Sequence, residues 1–366
     1  MKKINTLLLI ILFPFYLFAQ KSEPVSTAAI DNDSQLSVVS DTIVDLDVFA
    51  NDEPLNITLK YDITSFIRNK KKGEYIDAVM QIHFSDSLTK TKNIRIKARG
   101  NFRRGHCMFP PIHLNFSTDP IQNNVLKGTK KLKMVTHCST LKEYKNYILK
   151  EYLAYKMYNV LSDNSFRVKL LHITYIDTGK KKKFYQQYGF LIEPIDLVAK
   201  RNSSIEVDPT FIKKKNVFEV DADRVALFEY MIGNTDWRIK AGHNMKFTKS
   251  LTKITNQVMP VPYDFDFSGF VGTRYSYPQE WASVDDVKER EYLGYCRENE
   301  LDYLANIKKF EDNKEEILNT IAKFIYLSER ERESAIKFIN GFFREIKDPE
   351  YFLSTLKAEC RSRADF

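Results

Sequence analysis

The sequence predicts an α+β chain, with an antiparallel β-rich first part and a mostly helical second part. Between Leu55 and Ile192, apolar residues alternate with polar ones in short runs broken by turn residues, the period of half-buried strands. Beyond Pro209 they return at helical spacing, as in Ile317, Ile321, Phe324 and Ile325. No internal repeat interrupts this order, and 366 residues suit one large two-lobed domain or two domains.

Residues 1–19 read as a cleaved secretory signal: Lys2-Lys3, an apolar run Leu7–Phe18, and a junction at Ala19-Gln20. The run is too short for a comfortable membrane span, so no transmembrane segment is expected after cleavage. The junction holds no cysteine, which argues against a lipid anchor. The chain is therefore expected to be exported, periplasmic or secreted. The Phe-Ala-Gln ending and the Lys-, Tyr- and Phe-rich body resemble exported Bacteroidetes proteins. Residues 20–42, small and polar, read as a flexible linker. A β-rich lobe with one packed helix is then expected over 43–196 and a mainly helical lobe over 197–366.

Within the first lobe, Leu55–Leu59, Ala78–Phe84 and Ile94–Ala98 alternate as strands. Ile112–Phe116 and Lys131–Cys138 read as two more. Glu143–Leu161 is the first convincing helix, apolar on more than one face. Its internal Glu151 needs a cationic partner there, and Lys133 or Lys131 is the expected one. Val168–Tyr175 and Phe184–Ile192 pair across Gly179-Lys180, and the second ends at Glu193-Pro194. In the second lobe, Val220–Ile232 is helical. Ser328 with Glu331 forms a capping box for a helix that Pro349 ends, and Phe352–Leu356 adds a short turn or helix.

Composition excludes some functions. The formal net charge of +8 falls to +6 without Lys2 and Lys3, a small excess over so long a chain. The lysine runs sit beside Gly or Asn without interleaved aromatics, so no nucleic-acid partner is expected. No Gly-x-Ser-x-Gly elbow or triad spacing marks a hydrolase. A paired-carboxylate glycosidase stays open on residue types alone, although the order of elements does not favour it. Four cysteines remain to be placed. A Cys107–Cys138 disulfide suits an exported chain, against zinc held by His106-Cys107 and His137-Cys138 or buried thiols. Cys296 is the spare partner, and Cys360 is expected to stay free.

The chemistry concentrates in Phe228–Gly272. A helical segment ends at Ile232-Gly233 and delivers Asn234-Thr235-Asp236-Trp237. Next comes His243-Asn244 ahead of a strand, and a second strand stops at Tyr263-Asp264-Phe265-Asp266. Carboxylates and an Asn at successive element ends are the arrangement that holds a divalent metal on a nucleotide, and equally one that only caps and turns. Earlier, Arg99-Gly100-Asn101 follows a strand with Arg103 and Arg104 close behind. This is either a phosphate-covering basic turn or a tight hairpin facing solvent.

The order of these motifs resembles the spore-coat kinase (CotH) family, an atypical branch of the protein-kinase-like fold, over roughly Ile94–Gly272. The matching residues are Arg99-Gly100-Asn101, the helix around Glu151, the strand end Glu193-Pro194-Ile195-Asp196, Asp236 with Asn244, and Asp264-Phe265-Asp266. The resemblance implies a two-lobed kinase-like fold with Mg²⁺ and ATP as cofactors. It implies that Asp264 and Asp266 bind one metal and Asn244 a second, and that Asp236 orients or deprotonates the accepting hydroxyl. Arg99 would then cover the phosphates, Lys133 paired with Glu151 would hold them, and the Glu193 region would meet the adenine edge. Phe109-Pro110-Pro111 stands where the family carries a lysine, leaving Lys97, Lys131 or Lys133 for that task. The function so implied is transfer of a phosphoryl group to a protein or small-molecule hydroxyl. The alternative is a non-catalytic, pseudokinase-like binding protein that holds an anionic ligand through Arg99, Arg103 and Arg104. An exported protein meets little ATP, which weighs toward that alternative.

Overall fold

Seven of the strands close on themselves. The structure, a computed structural model, describes residues 48–85, 87–118, 129–212, 216–252, 255–297 and 300–360. The signal and linker readings fall outside these residues. The strands are β1 (Leu55–Tyr61), β2 (Ile76–His83), β3 (Thr89–Ala98), β4 (Ile112–Asn115), β5 (Lys131–Val135), β6 (Val168–Asp177) and β7 (Phe184–Ile192), in the barrel order β1-β2-β3-β4-β5-β7-β6. The wholly antiparallel sheet expected from the alternation is corrected at one seam. There β1 runs parallel to β6, from Leu55 opposite Leu171 to Tyr61 opposite Asp177. Closure removes both open edges, which otherwise present unpaired backbone groups.

Period-two patterning fills the barrel. Leu59, Ile96, Leu114, Met134, Leu171 and Ile173 point inward and are fully buried. Two short helices lie in the connections. α1 (Ile63–Asn69) starts where the Asp62 carboxylate accepts from Ser65 N–H at 2.8 Å. α2 (Phe102–His106) fills the connection between β3 and β4, so the Arg-Gly-Asn turn is not a tight hairpin. Cys107, at the end of α2, is disulfide-bonded to Cys138 beyond β5, which bears out that pairing and leaves no thiolate there for zinc.

α3 (Lys142–Leu161) packs one flank on β7 and the others on the helical part of the chain. Ile148, Leu149, Tyr152, Leu153, Tyr155 and Met157 are buried round its circumference, as the all-round apolar pattern requires. After β7, Pro194 precedes α4 (Ile195–Arg201) rather than merely ending a strand. Next come β8 (Ser204–Val207), α5 (Glu219–Ile232), β9 (Met245–Ser250) and β10 (Met259–Pro262). These three strands form a sheet in the order β10-β9-β8. α6 (Glu300–Asp312), α7 (Lys314–Ala322), α8 (Glu329–Glu345) and α9 (Pro349–Glu359) complete the helical core with α3 and α5. The Ser328 hydroxyl accepts from Glu331 N–H as the capping box requires. Pro349, however, opens α9 behind the Asp348 cap instead of only stopping α8. Cys360, expected free, is bonded to Cys296, because α9 carries it back toward the loop before α6. Among the described residues, no helix is long and apolar enough to cross a membrane.

Candidate functional site

Three element ends deliver the polar residues. α5 stops in a Schellman arrangement: Gly233 takes φ +63°, its N–H reaches Tyr230 O at 3.0 Å, and Asn234 N–H reaches Glu229 O at 2.8 Å. Asn234 Oδ1 then accepts from Asp236 N–H at 3.0 Å, and its amide nitrogen donates to Glu229 at 2.9 Å. The β9–β10 register sets Pro262 opposite Met245 and continues through Tyr263 N–H to Asn244 O at 3.1 Å. Asn244, entering β9, and Asp264, leaving β10, therefore stand side by side. Both have left-handed backbones, at φ +51° and +68°. Asn and Asp tolerate this better than other side chains, and such conformers cluster at functional sites.

The residues so placed line one cleft of about 330 Å³: Asp236, His243, Asn244, Asp264 and Asp266 face Arg99, Asn101 and Arg103 across it. Asp236 is held at both oxygens. His243 Nε2 lies 2.6 Å from Oδ1, and Asn244 Nδ2 donates to Oδ2 at 3.0 Å. Burial raises the Asp236 pKa above its ordinary value, against the pull of His243. His243 is raised in turn by its hydrogen bond to that carboxylate, against its own partial burial.

Behind this pair lies an ion cluster built on Arg103. Its guanidinium donates two parallel bonds to Glu151, at 2.9 and 3.0 Å, and further contacts Asp264 and Asp266, the latter at 3.2 Å. Arg103 and Glu151 are both buried. The expectation that Lys133 or Lys131 would neutralise Glu151 is therefore corrected. A planar fork serves three carboxylates where a point charge serves one. Lys131 is exposed. Lys133 lies over the Tyr263 ring at 5.3 Å, outside the cleft lining. Burial and the repulsion of Arg99 and Lys246 bring its pKa down to about 8, with Asp264 opposing.

The three acids around Arg103 differ. Burial pushes Asp264 up, but Arg103 and Arg99 outweigh it and keep the carboxylate ionised. Asp266 is raised well above the carboxylate range by burial, with Asp264 and Glu151 adding to that against Arg103. It also accepts from Tyr275 Oη at 2.9 Å, beneath a cover of Phe102, His106 and Phe267. Glu151 is likewise raised, by burial first, against Arg103.

The donor set suits a hard divalent cation at the outer edge of the cluster. Asn244 gives its amide nitrogen to Asp236, and Asp264 gives Oδ1 to Arg103. Asn244 Oδ1 and Asp264 Oδ2 keep no hydrogen bond among the described residues. Oxygen ligands of this kind, one of them ionised, are what Mg²⁺ takes. Glu151, Asp264 and Asp266 also offer oxygens within 4.8 Å of one another, but there the cation is Arg103 itself. Asp266 thus belongs to the inner cluster.

Other expected site residues part company. Glu193 is buried under Arg167 and Arg201 at 2.8 and 3.2 Å, and its N–H is spent on Arg167 O at 2.9 Å. Its N–H is thus not free for a base, and it has no place in the cleft lining. The arginine cluster divides: Arg103 goes inside, Arg99 stays at the cleft, and Arg104 lies outside its lining. Arg99 makes no side-chain hydrogen bond or ion pair among the described residues. The residues that sequence reasoning missed are Arg103 as the partner of Glu151, His243 as the partner of Asp236, and Tyr275. For the first, the sequence showed that Glu151 needs a cation but not which one, since Arg103 lies 48 residues away.

A scan against protein-family models finds no match, and neither does a search of curated proteins. Among solved structures, the chain is similar to the Helicobacter pylori proinflammatory kinase CtkA at 12% identity and a TM-score of 0.36. The likeness covers 70% of this chain and 94% of that one.

Proposed function

We propose that the chain is an exported, kinase-like phosphotransferase that takes a nucleotide triphosphate in the Asp236–Asn244–Asp264 cleft and passes a phosphoryl group to a hydroxyl. The observation that carries this is the convergence of those three residues, from three separate element ends, on one cleft backed by an Arg–Glu pair. In this reading, the barrel with α3 is the first lobe and the chain from residue 197 the second, as in the spore-coat kinase family. Asp264 and Asn244 hold a divalent cation, which when bound offsets the phosphate charge. Asp236, fixed at both oxygens, orients the accepting hydroxyl. Arg99 meets phosphate oxygens from the opposite wall. Arg103 holds Glu151 and Asp264 in register, so the pairing with Glu151 first sought in a lysine is made by a positioning arginine. Two disulfides fit an oxidising compartment and so support export.

The saturation of Arg103 by three carboxylates favours a second reading, a non-catalytic protein that binds an anion at Arg99 and Asn101. Turnover separates the two. With Mg²⁺ and ATP, the phosphotransferase consumes nucleotide, and Asp236→Asn slows it by about 10²–10⁴-fold. No turnover by the wild type would leave the binding protein as the reading, and equal turnover by both proteins would remove Asp236 from its assigned role.

A further inference from the structure

A second concavity lies behind the cleft. It has a volume of about 580 Å³, and its floor is the loop Gly269–Gly272, which begins three residues after Asp266. That loop is tied to the end of α5 by Gly269 N–H to Gly233 O and Phe270 N–H to Ile232 O, both at 2.9 Å. The walls are strongly basic. Lys150, Lys288, Arg290, Lys337 and Arg344 line it against the single carboxylate of Glu331.

Two of these cations are built into the wall. Lys150 pairs with Glu331 at 2.9 Å. Arg290 pairs with Glu345 at 3.0 Å, donates to Met231 O and Phe338 O at 3.2 and 2.6 Å, and stacks on the Phe338 ring. Lys288, Lys337 and Arg344 are exposed, and none makes a hydrogen bond or ion pair through its side chain among the described residues. Backbone N–H groups do not explain the charge. Gly269, Phe270, Val271 and Gly272 all spend theirs inside the protein.

We infer that this concavity is a docking site for an acidic peptide segment of a partner protein. Spacing selects a peptide over a single phosphate. Lys337 and Arg344 share one face of α8, seven residues apart, which is about 10 Å along the axis. One phosphate cannot bridge them. An extended chain presents same-face side chains roughly every 6.5–7 Å, so carboxylates two to four residues apart reach both. The half-buried Phe338 gives the aliphatic parts of such a segment an apolar surface. A segment seated here rests on the Gly269–Gly272 loop, which continues the chain from Asp264 and Asp266. The site would therefore hold a protein substrate beside the proposed phosphotransfer cleft, but its existence does not rest on that reading.

The test uses the full chain and a fluorescein-labelled octa-glutamate peptide followed by anisotropy. The wild type is expected to bind it, more weakly as salt rises. Lys288→Glu/Lys337→Glu/Arg344→Glu is expected to raise Kd at least tenfold, and the corresponding triple Gln variant to lie between. All three residues are exposed, so circular dichroism should match the wild type. Mg·ATP binding at the cleft, measured on the same variants, should not change, which keeps this proposal separate from that of phosphotransfer. Absence of peptide binding by the wild type, or equal Kd values in the variants, would overturn it. So would capture of tripolyphosphate without capture of the peptide.

Discussion

Arg103 is the residue on which the site depends. A buried ion pair adds little over an apolar isostere, but removing one partner strands the others at a cost of about 3–5 kcal/mol. Arg103→Met strands Glu151, Asp264 and Asp266 together, so urea unfolding should show a loss at or above that range. Arg103→Lys should fall between, since one ammonium cannot fork onto three carboxylates. Glu229 gives a pH prediction. Burial raises its pKa to about 8, against the hydrogen bond from Asn234 and from an ordinary value of 4.5. Between those values the folded chain keeps a proton that the unfolded chain has shed. Its contribution to stability is therefore full below the lower value and lost as pH rises through the upper. Glu229→Gln should match the wild type near pH 4.5 and exceed it at pH 8–9 by roughly 2–4 kcal/mol, read from Tm against pH. Asp236, Asn244 and Asp264 could be picked out of the sequence because each sits at an end of a periodic run, Asp236 and Asp264 after one and Asn244 just before one. Their partners could not. Arg103 meets Glu151 across 48 residues and Asp264 across 161, and no local period records such a pairing.

At the scale of elements, the disulfides and one loop set the stability of the frame. Cys107–Cys138 spans 31 residues and fixes the end of α2, whose Arg103 carbonyl accepts from Cys107 N–H at 2.9 Å. Cys296–Cys360 spans 64 and ties α9 back. Loops of this size are worth about 3–4.5 kcal/mol each in the chain-entropy model. Reduction should lower Tm for both, but only Cys107→Ala/Cys138→Ala should also weaken the ligand affinity of the cleft. Gly269 is constrained by close approach: a Cβ there would lie 2.1 Å from Val287 O. Gly269→Ala should cost about 1–3 kcal/mol in unfolding free energy, since the obstruction is backbone and cannot swing aside. Strand and helix identities were legible over most of the chain because their periods differ. The parallel β1–β6 seam was not, because alternation gives a strand's faces and not its neighbour. The helical turn of α2 was hidden too, since Phe102–His106 is too short to show a period.

For the molecule as a whole, a closed barrel, a deeply packed α3 and a helical core bring residues far apart in sequence to one cleft whose acids are gathered on Arg103 inside and stay open at the rim. Glu151 and Asp266 are spent within, while Asp264, Asn244 and Arg99 face what enters. Removing the rim should therefore abolish ligand binding without unfolding the chain, whereas removing the centre should do both. Isothermal titration of Mg·ATP into the wild type, repeated with EDTA and with Asp264→Ala, tests the central claim most directly. Binding that needs the metal and weakens at least tenfold in Asp264→Ala is the result expected. No heat of binding from the wild type with Mg²⁺, or the same affinity with EDTA, would contradict it.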